Sequence, residues 1–320
     1  MAVITQLSQT DVASIIKQYN IPGFIRAEAI LEGTENTNYI IQTEGPKYIL
    51  TIFEKRVSKQ DIPFFLNLMR HLATTGFPVP NIIANKNNSQ TFSYNAKTGV
   101  ILSFLEGKSI MRDPSLDHAA EFGSLIGKMH TSCKEFPTTR TNTYHLNGCI
   151  RLFQELVTRR ALEAKQQDLI DNVLRYELYS LSGLGDGLVK GVVHGDLFPD
   201  NIFFLENKIS GLIDFYFASR DYLVYDLAIA INAWCFDNEN RFNKERALTI
   251  INSYNSARPL TKLERQYFRD FCLLAAVRFF LTRTYDCFHG ASNDSQINLK
   301  DPAEFLTRIN FFMNWSGIKL

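Results

Sequence analysis

A chain of 320 residues with 45% hydrophobic content is long enough to build two compact domains around substantial cores. Lysine plus arginine (34) nearly cancels aspartate plus glutamate (33), so there is no surplus positive field for nucleic acid or an anionic membrane, and neither is expected as a partner. The longest apolar run, "FCLLAAVRFFL", is broken by Arg278 and falls short of the ~20 residues that a membrane span needs. The opening "MAVITQLSQTDVASI" lacks the basic and apolar regions of a signal peptide, so a cytoplasmic location is expected. Cys133, Cys149, Cys235, Cys272 and Cys287 are scattered without a CxxC pair or zinc spacing, which points to reduced, mostly buried thiols.

Along the first hundred residues, "AEAILEG", "TNYIIQT", "KYILTIF" and "TGVILSFL" are short β-prone runs separated by Gly, Pro and Asn turns. One helix is expected among them, "KQDIPFFLNLMRHLATTG", with an apolar face at Phe65, Leu68, Met69 and Leu72 and a stop at Gly76. From about Pro114 the periodicity becomes helical, in "SLDHAAEFGSLIGKMHTSC", in the long stretch from Gly148 to Leu181 and in most of 240–320. The pattern predicts an α+β chain: a small antiparallel-sheet lobe over 1–102, a crossing segment over 103–109 and a larger, mainly helical lobe over 110–320.

The segment "VVHGDLFPDNIFFLENKISGLIDFYF", residues 192–217, interrupts the helical half. It places three carboxylates, an amide and an imidazole among strongly apolar neighbours, where unpaired polar groups are costly. "IFFL" and "ISGLIDF" read as a hairpin joined by "ENK", and "HGDLFPDN" reads as a loop in which Pro199 sets one dihedral and extends Phe198. Asp196, Asn201 and Asp214 can then converge at one end of the hairpin. Phosphoryl transfer needs such a set: one carboxylate orients the acceptor hydroxyl, while an amide oxygen and a second carboxylate hold Mg²⁺ on ATP phosphates. Taken singly, each residue is better explained by a turn, an Asx motif or a strand-end ion pair, and only the three together favour the catalytic reading.

"HGDLFPDN" followed by "IDF" resembles the catalytic core of the aminoglycoside-phosphotransferase and choline-kinase-like superfamily, relatives of the protein kinases; "IGKMH" and "YDLAIAI" match it too. "EGTENTNYII", "YILTIFEKR", "DIPFFLNLMRHLATTGFPVP", "GLIDFYFASRDYLVYDLAIAINAWCF" and "AVRFFLTRTYD" are similar to its homoserine kinase branch in order and spacing, most weakly around 140–185. The resemblance implies a bilobal protein-kinase-like fold and a small-molecule kinase using ATP and Mg²⁺. Its expected acceptor is the side-chain hydroxyl of L-homoserine, in threonine biosynthesis. The alternatives are kinases of choline, ethanolamine, methylthioribose or an aminoglycoside, and a catalytically silent kinase-fold binding module. Asp196 becomes the catalytic carboxylate, and Asn201 and Asp214 become metal ligands. His194 and Asp226 support the loop, the latter from a helix N-terminus where negative charge is favourable.

For the nucleotide, the resemblance points to Gly33, Thr34 and Asn36 in "LEGTENTN" as the phosphate-covering loop, and to the backbone around Ser103–Leu105 for adenine. Thr51 stands where many relatives carry a lysine or arginine; Lys55, on the same strand face ~13 Å further along, is the candidate replacement. The following helix shows no glutamate to pair with such a lysine. An amino-acid acceptor needs a guanidinium for its carboxylate and an acid for its ammonium. Arg278 and Arg283 supply the first, about 140° apart on one helix, so at most one faces a given pocket. Arg283 pairing with Asp286 is the competing reading, and Tyr216, Asp221, Asn232 and Asp237 are further pocket candidates.

Overall fold

The computed structural model describes residues 4–31, 36–54, 57–111, 113–184, 187–290 and 300–317. Contacts divide the chain into two units. The first is built mainly from the residues up to Gly107 together with Ser210–Tyr216, the second from Lys108–Ile209 and most of the chain after Phe217.

In the first unit, the opening residues form a helix that periodicity alone did not suggest, α1 (Gln9–Ile16), started by a capping box in which Ser8 and Asp11 satisfy each other's backbone N–H groups. Strands β1 (Phe24–Ile30), β2 (Thr37–Thr43) and β3 (Tyr48–Ile52) follow, then α2 (Ile62–Thr74), β4 (Ile82–Ile83), β5 (Phe92–Tyr94) and β6 (Lys97–Ser103). All pair antiparallel, in the order β1-β2-β3-β6-β4 with β5 on β6. Strict alternation in "TNYIIQT" buries Thr37, Tyr39, Ile41 and Thr43 on one face. Val12, Ile15 and Ile16 of α1 pack there against Ile41, Leu50, Ile52 and Ile101. Helix α2 buries Phe65, Leu68, Met69 and Leu72 as its periodicity requires. It stops where Gly76 takes φ +75 and Phe77 N–H returns to Leu72 O at 3.1 Å, a Schellman ending.

The second unit starts with β7 (Lys108–Ser109), α3 (Leu116–Ser132), α4 (Leu146–Thr158) and α5 (Ala164–Asn172), and continues with β8 (Lys190–Val193) and β9 (Ile202–Leu205). Strand β10 (Lys208–Leu212) follows β9 after the turn at Glu206 and Asn207, and the division between the units runs through it. Next come β11 (Ser219–Tyr222), paired antiparallel to β8, and the helices α6 (Leu223–Trp234), α7 (Lys244–Ala257), α8 (Lys262–Gln266), α9 (Phe268–Gly290) and α10 (Ala303–Met313). Helix α6 is apolar almost all round and correspondingly buried, with α9 and α10 packed in the same core. Cys133, Cys149, Cys235 and Cys272 are buried free thiols. Burial pushes Cys133 and Cys149 up to about 12. No helix among the described residues is long and apolar enough to cross a membrane.

Candidate active site

Between β8 and β9, residues 194–201 form a loop whose backbone polar groups are held by side chains of the second unit. Gly195 takes φ +80, and a Cβ there would stand 2.9 Å from Phe217 O, so only glycine fits. His194 N–H and Gly195 N–H donate to the two oxygens of Asp226, at 2.6 and 2.8 Å. Gly195 O accepts from Arg278 Nη1 at 2.7 Å, and Leu197 O accepts from Trp234 Nε1 at 3.1 Å. His194 Nδ1 accepts the Asp196 N–H at 3.2 Å, so this histidine fixes the loop from within. Asp226 and Trp234 lie near opposite ends of α6, and the loop therefore hangs from both ends of one rigid helix.

The loop presents Asp196 beside Asn201. Asn201 Nδ2 donates to both Asp196 O (2.8 Å) and Asp196 Oδ2 (2.9 Å), which turns the amide oxygen away from the carboxylate. That leaves Oδ1, the atom a hard cation takes. Burial raises the Asp196 pKa above the ordinary carboxylate range; the Arg278 guanidinium opposes this most strongly, Asp200 adds to it, and His194 and Lys300 oppose it more weakly.

Asp214 lies in the first unit, at φ +65, a left-handed conformation that aspartate tolerates better than most residues. Two residues on, Tyr216 packs edge-on against Phe53 and Phe65, at 5.1 and 5.8 Å between ring centres. Burial drives its hydroxyl pKa well up, the Asp214 charge adds to this, and a hydrogen bond with Thr51 opposes it. Thr51 Oγ1 in turn donates to Asn38 Oδ1 at 2.7 Å. Where a phosphate-binding cation was sought on β3, the chain thus has a neutral hydrogen-bonded set. A buried acid does exist nearby in sequence: Glu54 accepts from Thr5 (2.6 Å), Thr37 (2.8 Å) and Lys97, a cluster that sequence reading missed.

Asn36 is buried, with Oδ1 accepting from Glu54 N–H at 3.2 Å; Gly33, Thr34 and Lys55 lie outside the described residues. In the adenine segment, Ser103 N–H donates to Asn81 O, Ser103 Oγ accepts from Asn81 N–H, and Phe104 N–H donates to Lys47 O. Leu105 follows, its side chain against Gly211.

The acceptor candidates prove to be engaged. Arg278 is only 3% exposed, with its guanidinium 4.6 Å from the Phe279 ring and 5.3 and 5.5 Å from those of Tyr144 and Phe217. Arg283 reaches Asp301 O and the Glu304 carboxylate of α10, at 2.8 and 2.9 Å. Asp221 is buried, holding Asn142 Nδ2 (2.7 Å) and Tyr222 N–H (2.7 Å) with His145 3.7 Å away. Asn232 donates to Ala228 O and Cys272 O inside the helical core, and Asp237 closes a turn by accepting from Glu239 and Arg241. Among the described residues no three His, Cys, Asp or Glu side chains form a metal cage; a cation carried on nucleotide phosphates requires only one or two protein ligands.

Residues 26–260 match the phosphotransferase enzyme family. The homoserine kinase of Paramagnetospirillum magneticum is 38% identical, aligned over 99% of this chain and 98% of its own, and that of Mesorhizobium japonicum is 37% identical over 97% and 96%. Among solved structures, an amicoumacin kinase in complex with AMP-PNP and Ca²⁺ shares the fold, with a TM-score of 0.75 at 16% identity over 97% of this chain and 95% of that one. Matched by the family over residues 26–260 and by relatives of this similarity over nearly its whole length, the chain belongs to the phosphotransferase enzyme family, alongside the homoserine kinases.

Proposed function

We infer that the protein is an ATP-dependent kinase that phosphorylates the side-chain hydroxyl of L-homoserine, yielding O-phospho-L-homoserine for threonine biosynthesis. The observation that carries this reading is similarity to homoserine kinases over essentially the whole chain, rather than over the nucleotide-handling core alone. Asp196, held by a fully bonded loop, accepts the hydrogen bond of the acceptor hydroxyl and orients it for in-line attack on the γ-phosphorus. Asn201 Oδ1 and Asp214 are the ligands for a divalent cation, read as Mg²⁺, which neutralises charge on the phosphate oxygens when bound. Because Ser103 and Phe104 already donate their N–H groups, the adenine contact is assigned to the backbone at Leu105.

Arg278 acts on the acceptor through its charge and through the loop. Its guanidinium is buried and bonded to Gly195 O, so it supplies a positive field beside Asp196 while holding the loop in place. Direct grip on the substrate carboxylate would require that bond to break. A coupled ADP-release assay over homoserine, choline, ethanolamine and an aminoglycoside tests the assignment. Homoserine is expected to turn over at least about 10²-fold more efficiently than the others, since a site built for an amino acid leaves polar groups unpaired around acceptors that lack a carboxylate. Faster turnover of choline or ethanolamine would reassign the acceptor within the same family.

A further inference from the structure

Helices α3 and α7 approach closely because Gly123 and Gly127 present no side chain. A Cβ at Gly123 would overlap the Ile250 carbonyl, and one at Gly127 would stand 3.0 Å from Tyr254 O. This approach brings His130, in the last turn of α3, against Tyr254 of α7 and completes an unbroken line of buried polar side chains. Asp226, which carries the His194 and Gly195 amides, has Oδ2 3.1 Å from His130 Nε2. His130 Nδ1 lies 2.9 Å from Tyr254 Oη; Arg258 Nη1 donates to that same oxygen at 2.9 Å, and Arg258 Nη2 donates to Glu264 Oε1 at 2.7 Å. Glu264 Oε2 is tied in turn to Thr261 N–H at the start of α8, at 2.8 Å. Asp226, Tyr254 and Glu264 are wholly buried and His130 nearly so, which makes the direction of each hydrogen bond a matter of necessity.

The donor inventory leaves one orientation. A guanidinium can only donate, so Tyr254 Oη accepts from Arg258. The single hydrogen of that hydroxyl then goes to His130 Nδ1. With Nδ1 accepting, the ring proton sits on Nε2 and points at Asp226. A doubly protonated ring would force the tyrosine oxygen to accept twice and would bury its hydrogen without an acceptor.

We propose that Tyr254, Arg258 and Glu264 are positioning residues for the catalytic loop: they anchor the His130 ring through Nδ1 with its Nε2–H turned to Asp226, and His130 fixes the Asp226 carboxylate that carries the loop amides. The proposal rests on reading the loop at 194–201 as catalytic. None of the three residues need touch substrate; their effect passes through one carboxylate orientation, and small displacements of an aligned reactive group are expensive in rate.

Long-range ¹H–¹⁵N correlation spectra of the full-length enzyme test the tautomer directly, with His130 assigned from its loss in His130→Asn. The expected result is a protonated Nε2 and an unprotonated Nδ1; the opposite tautomer or an imidazolium would overturn the proposal. In Tyr254→Phe, of nearly unchanged size, Nδ1 loses its donor while Asp226 still holds the Nε2 proton, so the Nδ1 resonance should move although the tautomer is kept. The kcat of this variant should fall about tenfold while KM for ATP and for the acceptor stay within about twofold. Unchanged kcat together with an unchanged His130 spectrum would also overturn it. Because the spectra need no turnover, the expected tautomer in an enzyme inactive on homoserine would count against the functional reading alone.

Discussion

The loop that carries Asp196 and the strand that carries Thr51 both hold polar groups away from water, but by opposite means. Around Asp196 the backbone is gripped by distant side chains: Asp226, Arg278 and Trp234 each bond a loop N–H or carbonyl, and Asn201 alone bonds the Asp196 carboxylate among the hydrogen bonds described above. Around Thr51 the side chains bond one another, Thr51 with Asn38 and Tyr216, and Glu54 with Thr5, Thr37 and Lys97. A backbone-held loop defines a position, whereas a side-chain network defines a local charge. The chemistry should therefore be more sensitive to changes on the Asp196 side, and stability to changes on the Glu54 side.

The strongest break is expected from Asp196→Asn, which preserves size and the loop hydrogen bonds but removes the proton-accepting carboxylate. kcat should fall by roughly 10²–10⁴ with melting temperature and ATP binding retained. A folded Asp196→Asn enzyme with near-normal turnover would place the chemistry elsewhere. Next comes Arg278→Met, which leaves Gly195 O without its donor and removes the positive field beside Asp196. We expect a decrease in kcat of about 10- to 10²-fold with KM for ATP nearly unchanged; steady-state kinetics with varied ATP and homoserine separate the two. A rise confined to the homoserine KM would instead return Arg278 to direct carboxylate binding.

On the first unit, Glu54→Gln should act on stability rather than on kcat. Burial tends to raise the Glu54 pKa, but the hydrogen bonds from Lys97, Thr5 and Thr37 and the Lys97 charge outweigh it and hold the carboxyl below its ordinary 4.5. A carboxyl depressed on folding contributes stability that is present above the unfolded value and lost as the pH falls through the folded one. Wild type should therefore exceed Glu54→Gln in thermal stability near neutrality, with the difference shrinking below about pH 4.5. Parallel melting curves across that range are the check, and a constant difference would remove the ionised pair from the account. The smallest effect is expected for Thr51→Val, about 1 kcal/mol from lost hydrogen bonding in an otherwise isosteric change. A modest shift in the Mg²⁺ response of Thr51→Val would tie Tyr216 to the placement of Asp214, and an unaltered titration would limit the set to packing.

The extent to which this site could be read from the chain follows the sequence distance between partners. The bond from Asn201 to Asp196 spans five residues, and Pro199 within that interval constrains the path, so "HGDLFPDN" announces the meeting of Asp196 and Asn201 locally. Helix α2 announced its buried face through the 3.6-residue period, whereas β2 was legible as a β-prone run and its buried face came from the structure. Helix α1 was equally legible, through Ser8 and Asp11 three positions apart before an apolar run, but its short periodic stretch drew no helix assignment. The acceptor candidates on α6, just after it and on α9 were read as lining a pocket because they are polar residues in apolar surroundings. Asn232, Asp237 and Arg283 instead close helix, turn and interhelical bonds, which carry the same sequence signal.

What the amino-acid order determined by itself is most of the elements, α1 excepted, and the loop between β8 and β9, because backbone dihedrals and side-chain periods act over a few residues. What only the tertiary structure decided is which side chains hold that loop. Arg278 meets Gly195 across 83 positions, Trp234 meets Leu197 across 37, and Lys97 meets Glu54 across 43. Over such separations no local geometry selects a partner. It is selected when donors and acceptors, cut off from water by the packing within each unit, must find one another or remain unsatisfied.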